Sequence, residues 1–251
     1  MQPVAIVLGF AVLMVLAERL AAGRRWPVVR GWWLRAGLAN ALQVGVVWLA
    51  GRAWDPWLVA HRPWSVERLG TLGAAALGYL VITFVYYWWH RWRHESELLW
   101  RVFHQLHHSP QRIEVITSFY KHPAELIANG VLSSAILYLL VGVTPPAAAL
   151  AVTATGIAEL FYHWNVRTPH WLGFLIQRPE SHCIHHEEGF HRQNFGDLPL
   201  WDWLFGTLEN PRAWPRSEGD PARRAGEGRC GFGDQEHALG ALLRGQDVTR
   251  S

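Results

Sequence analysis

Charge disappears from this chain in long blocks. Residues 70–89, "GTLGAAALGYLVITFVYYWW", carry no charged side chain over 20 positions. A helix of that length spans a hydrocarbon core of ~30 Å. Residues 126–142 and 143–158 are also uncharged, with Pro145 and Pro146 suiting a tight turn between two helices. Residues 3–17 form a fourth run, with Glu18 and Arg19 at its exit. Residues 36–50, extended by Trp32 and Trp33, form a weaker fifth. Buried helices of a soluble protein would also be apolar, but uncharged runs of 18 or more residues favour membrane spans. The pattern predicts an all-α integral membrane helical bundle with four or five transmembrane helices.

Tryptophan and arginine sharpen this picture. Trp26, Trp32, Trp33, Trp48, Trp54, Trp57, Trp64, Trp88 and Trp89 gather at the ends of the candidate spans, where an amphipathic ring prefers the membrane interface. Arg24, Arg25, Arg30 and Arg35 stand in the first loop with no acid. Arg91, Arg93, Arg101, Arg112 and Lys121 follow the third span, and the "GVTPP" tip carries no charge. Positive loops stay in the cytosol, so the N-terminus is expected outside and the segments after the third and last spans inside, in a bacterial cytoplasmic membrane. The loop at 51–69, with Arg52, Arg62 and Arg68 against Asp55 and Glu67, fits that rule least well. The N-terminal run lacks a basic leader and a good cleavage site, and reads as a retained span. Three parts are expected: residues 1–69 with two spans and a connector; residues 70–210 with the dense histidine and a transmembrane hairpin at 124–163; and residues 211–251 as a polar, flexible tail. Cys183 and Cys230 give neither a disulfide framework nor a cysteine zinc site. No nucleic-acid motif occurs, and a pI near 9.1 suits anionic lipid head groups.

Histidine supplies the chemistry. "HQLHH" at 104–108 and "HCIHH" at 182–186 repeat the spacing i, i+3, i+4, and His90 and His94 stand at i, i+4 where the third span ends. Residues so spaced share one helix face. His163 closes the last span, one turn after Glu159. The hydrophobic layout returns all these groups to one side of the membrane. Eight or nine imidazoles are too many for one ion and about right for two. An all-nitrogen set suits Fe, Zn, Cu or Ni better than Mg or Ca. The Glu-x-x-His pairs of soluble di-iron bundles are absent, haem leaves the triplets unexplained, and a transporter would hold its ligands in mid-span.

The three histidine groups, with the flanking "LWRVFHQLHHSP", "FYHWN" and "NFGDLPLWDWLFGT", resemble the fatty acid hydroxylase and sterol desaturase superfamily over about residues 80–210. The resemblance implies a cytosolic helical cap holding two iron ions, with His90, His94, His104, His107, His108, His163, His182, His185 and His186 as metal ligands. Some members have a histidine where Glu159 stands here, which suggests a mixed carboxylate–imidazole shell and a catalytic part for Glu159. His122, His191, Asn194 and Asp202 are candidates to hydrogen-bond the ligands from behind; His122 equally suits a helix cap. Arg192 stands where members often have an acid. Zinc can replace iron in purified protein.

Such enzymes use O2 to hydroxylate or desaturate a lipid taken from the bilayer. With no flavin or nicotinamide fingerprint, electrons are expected from a separate ferredoxin, cytochrome or reductase. Oxidative cleavage of a lipid ether bond by the same centre, or a non-catalytic membrane metal-binding protein, are the alternatives.

Overall fold

The computed structural model describes residues 2–188, 192–214 and 239–246, and among them there are helices and no strand. Five long helices make the body: α1 (Gln2–Leu20), α2 (Trp32–Ala53), α3 (Gly70–Glu95), α5 (Pro123–Ser134), which runs on as π-helical turns over Ala135–Val141, and α6 (Pro145–Tyr162). Among the short helices that join them are α4 (Gln105–His108), α7 (Pro179–His185), α8 (Pro199–Leu204) and α9 (Leu239–Leu243). Two stretches, Glu67–Glu95 and Pro123–Val141, are long and apolar enough to cross a membrane.

The turn between α5 and α6 falls slightly earlier than the prolines suggest. Gly142 adopts φ 79°, and the N–H groups of Gly142 and Val143 both reach the Leu137 carbonyl at 3.0 Å. Pro145 and Pro146 form the first turn of α6, where a missing N–H costs nothing. Small residues draw the helices together. Ala74, Ala75 and Ile82 of α3 pack with Leu137, Val143, Ala147, Ala148 and Ala151. A Cβ at Gly78 would lie 2.9 Å from Leu137 Cδ2, so a larger residue there would require Leu137 to shift. Outward positions are apolar instead: Leu13, Leu38 and Leu72 are 65%, 63% and 78% exposed.

The helices alternate in direction, so one end of the bundle collects residues 21–31, 96–122 and 163–214. There the α1 exit is tied down. Glu18 is buried and accepts the N–H groups of Val115 and Asn165, and Arg19 pairs with Glu114, which also accepts from Trp32. At the opposite end, Trp54 donates to Ser134 and Trp64 to the Val141 carbonyl. The arginines of the 51–69 connector are occupied at that end: Arg62 bonds Glu67 and the Val143 carbonyl, and Arg52 lies over Trp48.

One expectation needs correction. The polar composition of 211–251 suggests a flexible tail throughout, but Leu239–Leu243 is a helix docked on the cap. Leu242 is fully buried with Trp32, Leu106 and Tyr120, while His122 and Gln105 bond the carbonyls of Leu243 and Gln246. Residues 215–238 and 247–251 lie outside the described residues.

If the helices cross a bilayer as they alternate here, cysteines placed at Glu97 and Arg192 label from one face of sealed vesicles and a cysteine at Ser65 from the other. Labelling of all three from one face would rule out the crossing pattern.

Candidate metal centre

Nine histidines from five segments meet at the loop-rich end. They form two groups, each with ligand atoms within 4.8 Å of one another: His90, His94, His104, His108 and His185; and His107, His163, His182 and His186. The groups abut, with the rings of His108 and His186 stacked 4.1 Å apart. Each triplet divides between them. In the first, positions i and i+4 join one group and i+3 the other; in the second, the assignment is exchanged. A π-helical turn, Trp100–His104, precedes α4 and re-aims His104.

The hydrogen bonds behind the rings fix which nitrogen faces inward. His90 Nδ1 donates to the Phe195 carbonyl, His163 Nδ1 to that of Glu159 and His185 Nδ1 to that of Gln193, at 2.8, 2.9 and 2.8 Å. Their Nε2 lone pairs are left for the centre. His90 Nε2 and His104 Nε2 are buried without a hydrogen-bond partner among the described residues. In the second group the Nε2 atoms of His163 and His107 are 3.3 Å apart, His182 and His163 3.2 Å, and His186 and His182 3.0 Å. Bare nitrogen lone pairs facing at this distance repel unless a cation lies between them. A tetrahedral ion with bonds of ~2.0–2.1 Å holds its ligand nitrogens roughly 3.3 Å apart. Geometry and donor chemistry therefore both fit a transition metal, and the backbone carbonyls supply the outer hydrogen bonds that metal-binding histidines need.

Burial favours the neutral imidazole, the form that binds metal. It holds His104, His107 and His182 well below the ordinary histidine range, helped by Arg93 at His104 and by neighbouring imidazoles at the other two. His163 is lowered to about 3 by burial, against the pull of the Glu159 carbonyl.

The remaining expected residues take varied places. Glu159 belongs to neither group: Lys121 takes its carboxylate, while its carbonyl orients His163. Asp202 does not touch an imidazole. It accepts the N–H groups of Phe195 and Gly196 and the Thr207 hydroxyl, and so sets the carbonyl that receives His90. A Cβ at Gly196 would sit 2.9 Å from the Leu198 carbonyl, which reserves that turn for glycine. Burial pushes the Asp202 carboxyl up to about 7 against those three donors. Asn194, at φ 58°, donates to the Ser181 carbonyl and accepts from Glu209 N, tying α7 to the same turn. The Asn-Phe-Gly stretch thus contributes backbone, whatever precedes it. His122 caps α5 through Nδ1 and reaches the Leu243 carbonyl through Nε2, so both nitrogens are engaged away from the centre. His191 lies outside the described residues.

Four supporting residues carry no signal of their role in the sequence. Glu125, fully buried, lies 3.2 Å from His104 Nδ1 and pairs with Arg93, whose Nη1 is 3.1 Å from the same nitrogen, so a carboxylate–guanidinium couple backs that ring. Glu125 is an acid at the start of an apolar run, the same signal that singles out Glu159. Arg178 and Glu180, both buried, clamp Thr168 and so hold α7 in place. Asp197 bonds Tyr162 beside the second group, and burial raises it to about 7. A cavity of about 270 Å³ runs from His90, His104, His107 and His182, past Glu159 and Asp197, down between α1, α2, α3, α5 and α6.

The sequence profile described as "Fatty acid hydroxylase" matches residues 75–207. An ornithine lipid hydroxylase of Rhizobium tropici is 34% identical over 162 residues, covering 62% of this chain and 48% of that protein. Alkylglycerol monooxygenase of Homo sapiens is 26% identical over 160 residues, covering 62% and 34%. A Delta(7)-sterol-C5(6)-desaturase of Nicotiana tabacum is 28% identical over 142 residues, covering 55% and 50%. The matches thus span half or less of these relatives' own length. No solved structure matches the chain.

Two outcomes follow from the geometry. Glu125→Gln removes the charge behind His104 and is expected to weaken metal binding 10–100-fold, read by metal retention against a graded chelator. Retention equal to the parent would show that the couple does not tune the site. The second concerns acid. Unfolded histidines gain a proton below ~6.5, whereas the buried ones stay neutral until far lower. Stability is therefore full above ~6.5 and falls as pH drops towards the His163 value of about 3, by up to ~1.4 kcal/mol per pH unit for each such histidine. Metal-free protein in detergent should melt at a clearly lower temperature at pH 5 than at pH 7.5.

Proposed function

This chain belongs to the fatty acid hydroxylase family, and from that premise we propose that it is a membrane-bound, O2-dependent lipid oxidase with a dinuclear iron site. The observation that carries this reading is the division of nine imidazoles into two adjoining groups at one end of a largely apolar cavity. His90, His94, His104, His108 and His185 would hold one ion, and His107, His163, His182 and His186 the other. Two iron ions there would supply O2 binding and the electron steps that remove hydrogen from an unactivated C–H bond.

The chain's own residues do the rest. Carbonyls of Glu159, Gln193 and Phe195 keep three imidazoles in the metal-binding tautomer. Burial excludes water from the groups. Glu159 and Lys121 form a neutralised pair on the cavity wall, which gives Glu159 its part at the reacting end. The lipid enters from the bilayer, the five long helices cross it, the histidine end faces the cytosol, and electrons come from a separate carrier protein. Relatives named as hydroxylase, monooxygenase and desaturase support lipid oxidation as the reaction class. Ether cleavage stays within it.

The test is lipid-dependent O2 consumption by iron-loaded protein with a reductant, joined to mass analysis of lipids from expressing cells. A gain of about 16 mass units marks hydroxylation and a loss of about 2 marks desaturation, each being a C–H oxidation. Elemental analysis should give about two metal ions per chain, since each group offers a full ligand set. His107→Ala and His185→Ala, one from each group, should each lower turnover at least a hundredfold while the protein still reaches the membrane. Metal binding with no O2 uptake on any lipid would leave the metal-binding protein instead.

A further inference from the structure

The wall of the cavity between the long helices is not uniformly apolar, and its polar groups differ in how they are satisfied. Tyr86 donates to the Asn129 carbonyl, Ser134 accepts from Trp54, and Thr153 bonds the Ala149 carbonyl of its own helix. Three amides are incomplete among the described residues. Gln43 makes no side-chain hydrogen bond. Asn40 donates through Nδ2 to the carbonyls of Ala36 and Ile116, and its Oδ1 accepts nothing. Asn129 accepts from Trp89 through Oδ1, and its Nδ2 donates to nothing. All three line the cavity. Asn40 and Gln43 are i, i+3 on one face of α2. The α5 helix lies close against α2, since a Cβ at Gly130 would be 3.2 Å from Val46 Cγ1.

The three residues are half-buried, and their open amide atoms are available to a group placed in the cavity. Charge narrows what that group can be. The cations at this cavity, Lys121 and Arg93, are each paired, with Glu159 and Glu125. Away from the histidine end, a carboxylate or phosphate would find no unpaired lysine or arginine on the cavity wall, whereas a neutral group that both donates and accepts suits Gln43, Asn40 Oδ1 and Asn129 Nδ2. Resting on the lipid-oxidase reading, we propose that Gln43, with Asn40 and Asn129, binds a neutral amide or hydroxyl of the lipid. Gln43 is then a specificity-determining residue supplied by a helix outside the segment 75–207 that carries the family match. The substrate class becomes a lipid whose uncharged polar linkage lies inside the bundle, with its apolar chain along the α1 and α2 wall.

The test measures binding of three probes of equal chain length, hexadecanamide, hexadecanoate and hexadecane, to metal-loaded full-length protein in detergent, without turnover. One or two neutral hydrogen bonds predict that the amide binds roughly tenfold more tightly than the hydrocarbon and more tightly than the carboxylate. Gln43→Leu, which keeps volume and removes only the amide, should abolish that preference and leave hexadecane binding and metal content unchanged. Gln43→Asn should keep part of it. An equal preference in parent and Gln43→Leu would overturn the assignment while leaving lipid oxidation intact. A preference for the carboxylate would overturn it as well. If none of the probes binds and no lipid supports O2 uptake, the lipid-oxidase reading and the assignment fall together.

Discussion

An imidazole has two nitrogens, and a buried cluster of imidazoles survives only if each ring has somewhere to send its proton. This constraint organises the loop-rich end of the molecule. Carbonyls of Glu159, Gln193 and Phe195 take the N–H of His163, His185 and His90, and the Glu125 carboxylate stands behind His104. Each acceptor must itself be immobile, which explains the depth of the supporting network. Asp202 grips the Phe195–Gly196 turn, Asn194 ties that turn to Ser181, and Arg178 and Glu180 pin the start of the third histidine segment. Charged residues buried this deeply are rarely tolerated unless paired, and here each has a partner in the frame.

The repeated spacing i, i+3, i+4 has a geometric reading in the same terms. Positions i+3 and i+4 lie to either side of position i on a helix surface, so one short helix can address two adjoining points at once. Exchanging which positions serve which group lets two such helices interlock: His104 and His108 stand with His185, while His182 and His186 stand with His107. A single triplet could not divide its nitrogens in this way without leaving one group short.

The bundle and the histidines were legible in the sequence because both are written as local pattern. Uncharged runs mark the five long helices, and the triplets mark themselves. What was not legible depends on contacts between distant segments. Glu125 and Glu159 give the same signal, an acid beside an apolar run; only the fold shows that one backs a histidine and the other meets Lys121. Asp202 and Asn194 act through backbone carbonyls, which no side-chain pattern reveals. Nor does composition show that Leu242 enters a slot made by Trp32, Leu106 and Tyr120, with His122 and Gln105 bonding the carbonyls of Leu243 and Gln246.

The same division separates what is shared from what is particular. The segment 75–207 contains all nine histidines and the three carbonyls that orient His90, His163 and His185, and it is the part that matches the family profile. The relatives it resembles are named for different lipids: ornithine lipid, alkylglycerol and sterol. On the proposed function, a histidine cap held by backbone carbonyls would be insensitive to which lipid lies beneath it, because those supporting bonds do not involve the cavity wall. The cavity wall is different. Val4, Val7, Leu8 and Ala11 from α1, with Asn40, Gln43 and Val47 from α2, close one side of it, and none lies in the matched segment. Changes there alter the space offered to a lipid without disturbing a single histidine hydrogen bond, so chemistry and selectivity can vary independently in this architecture.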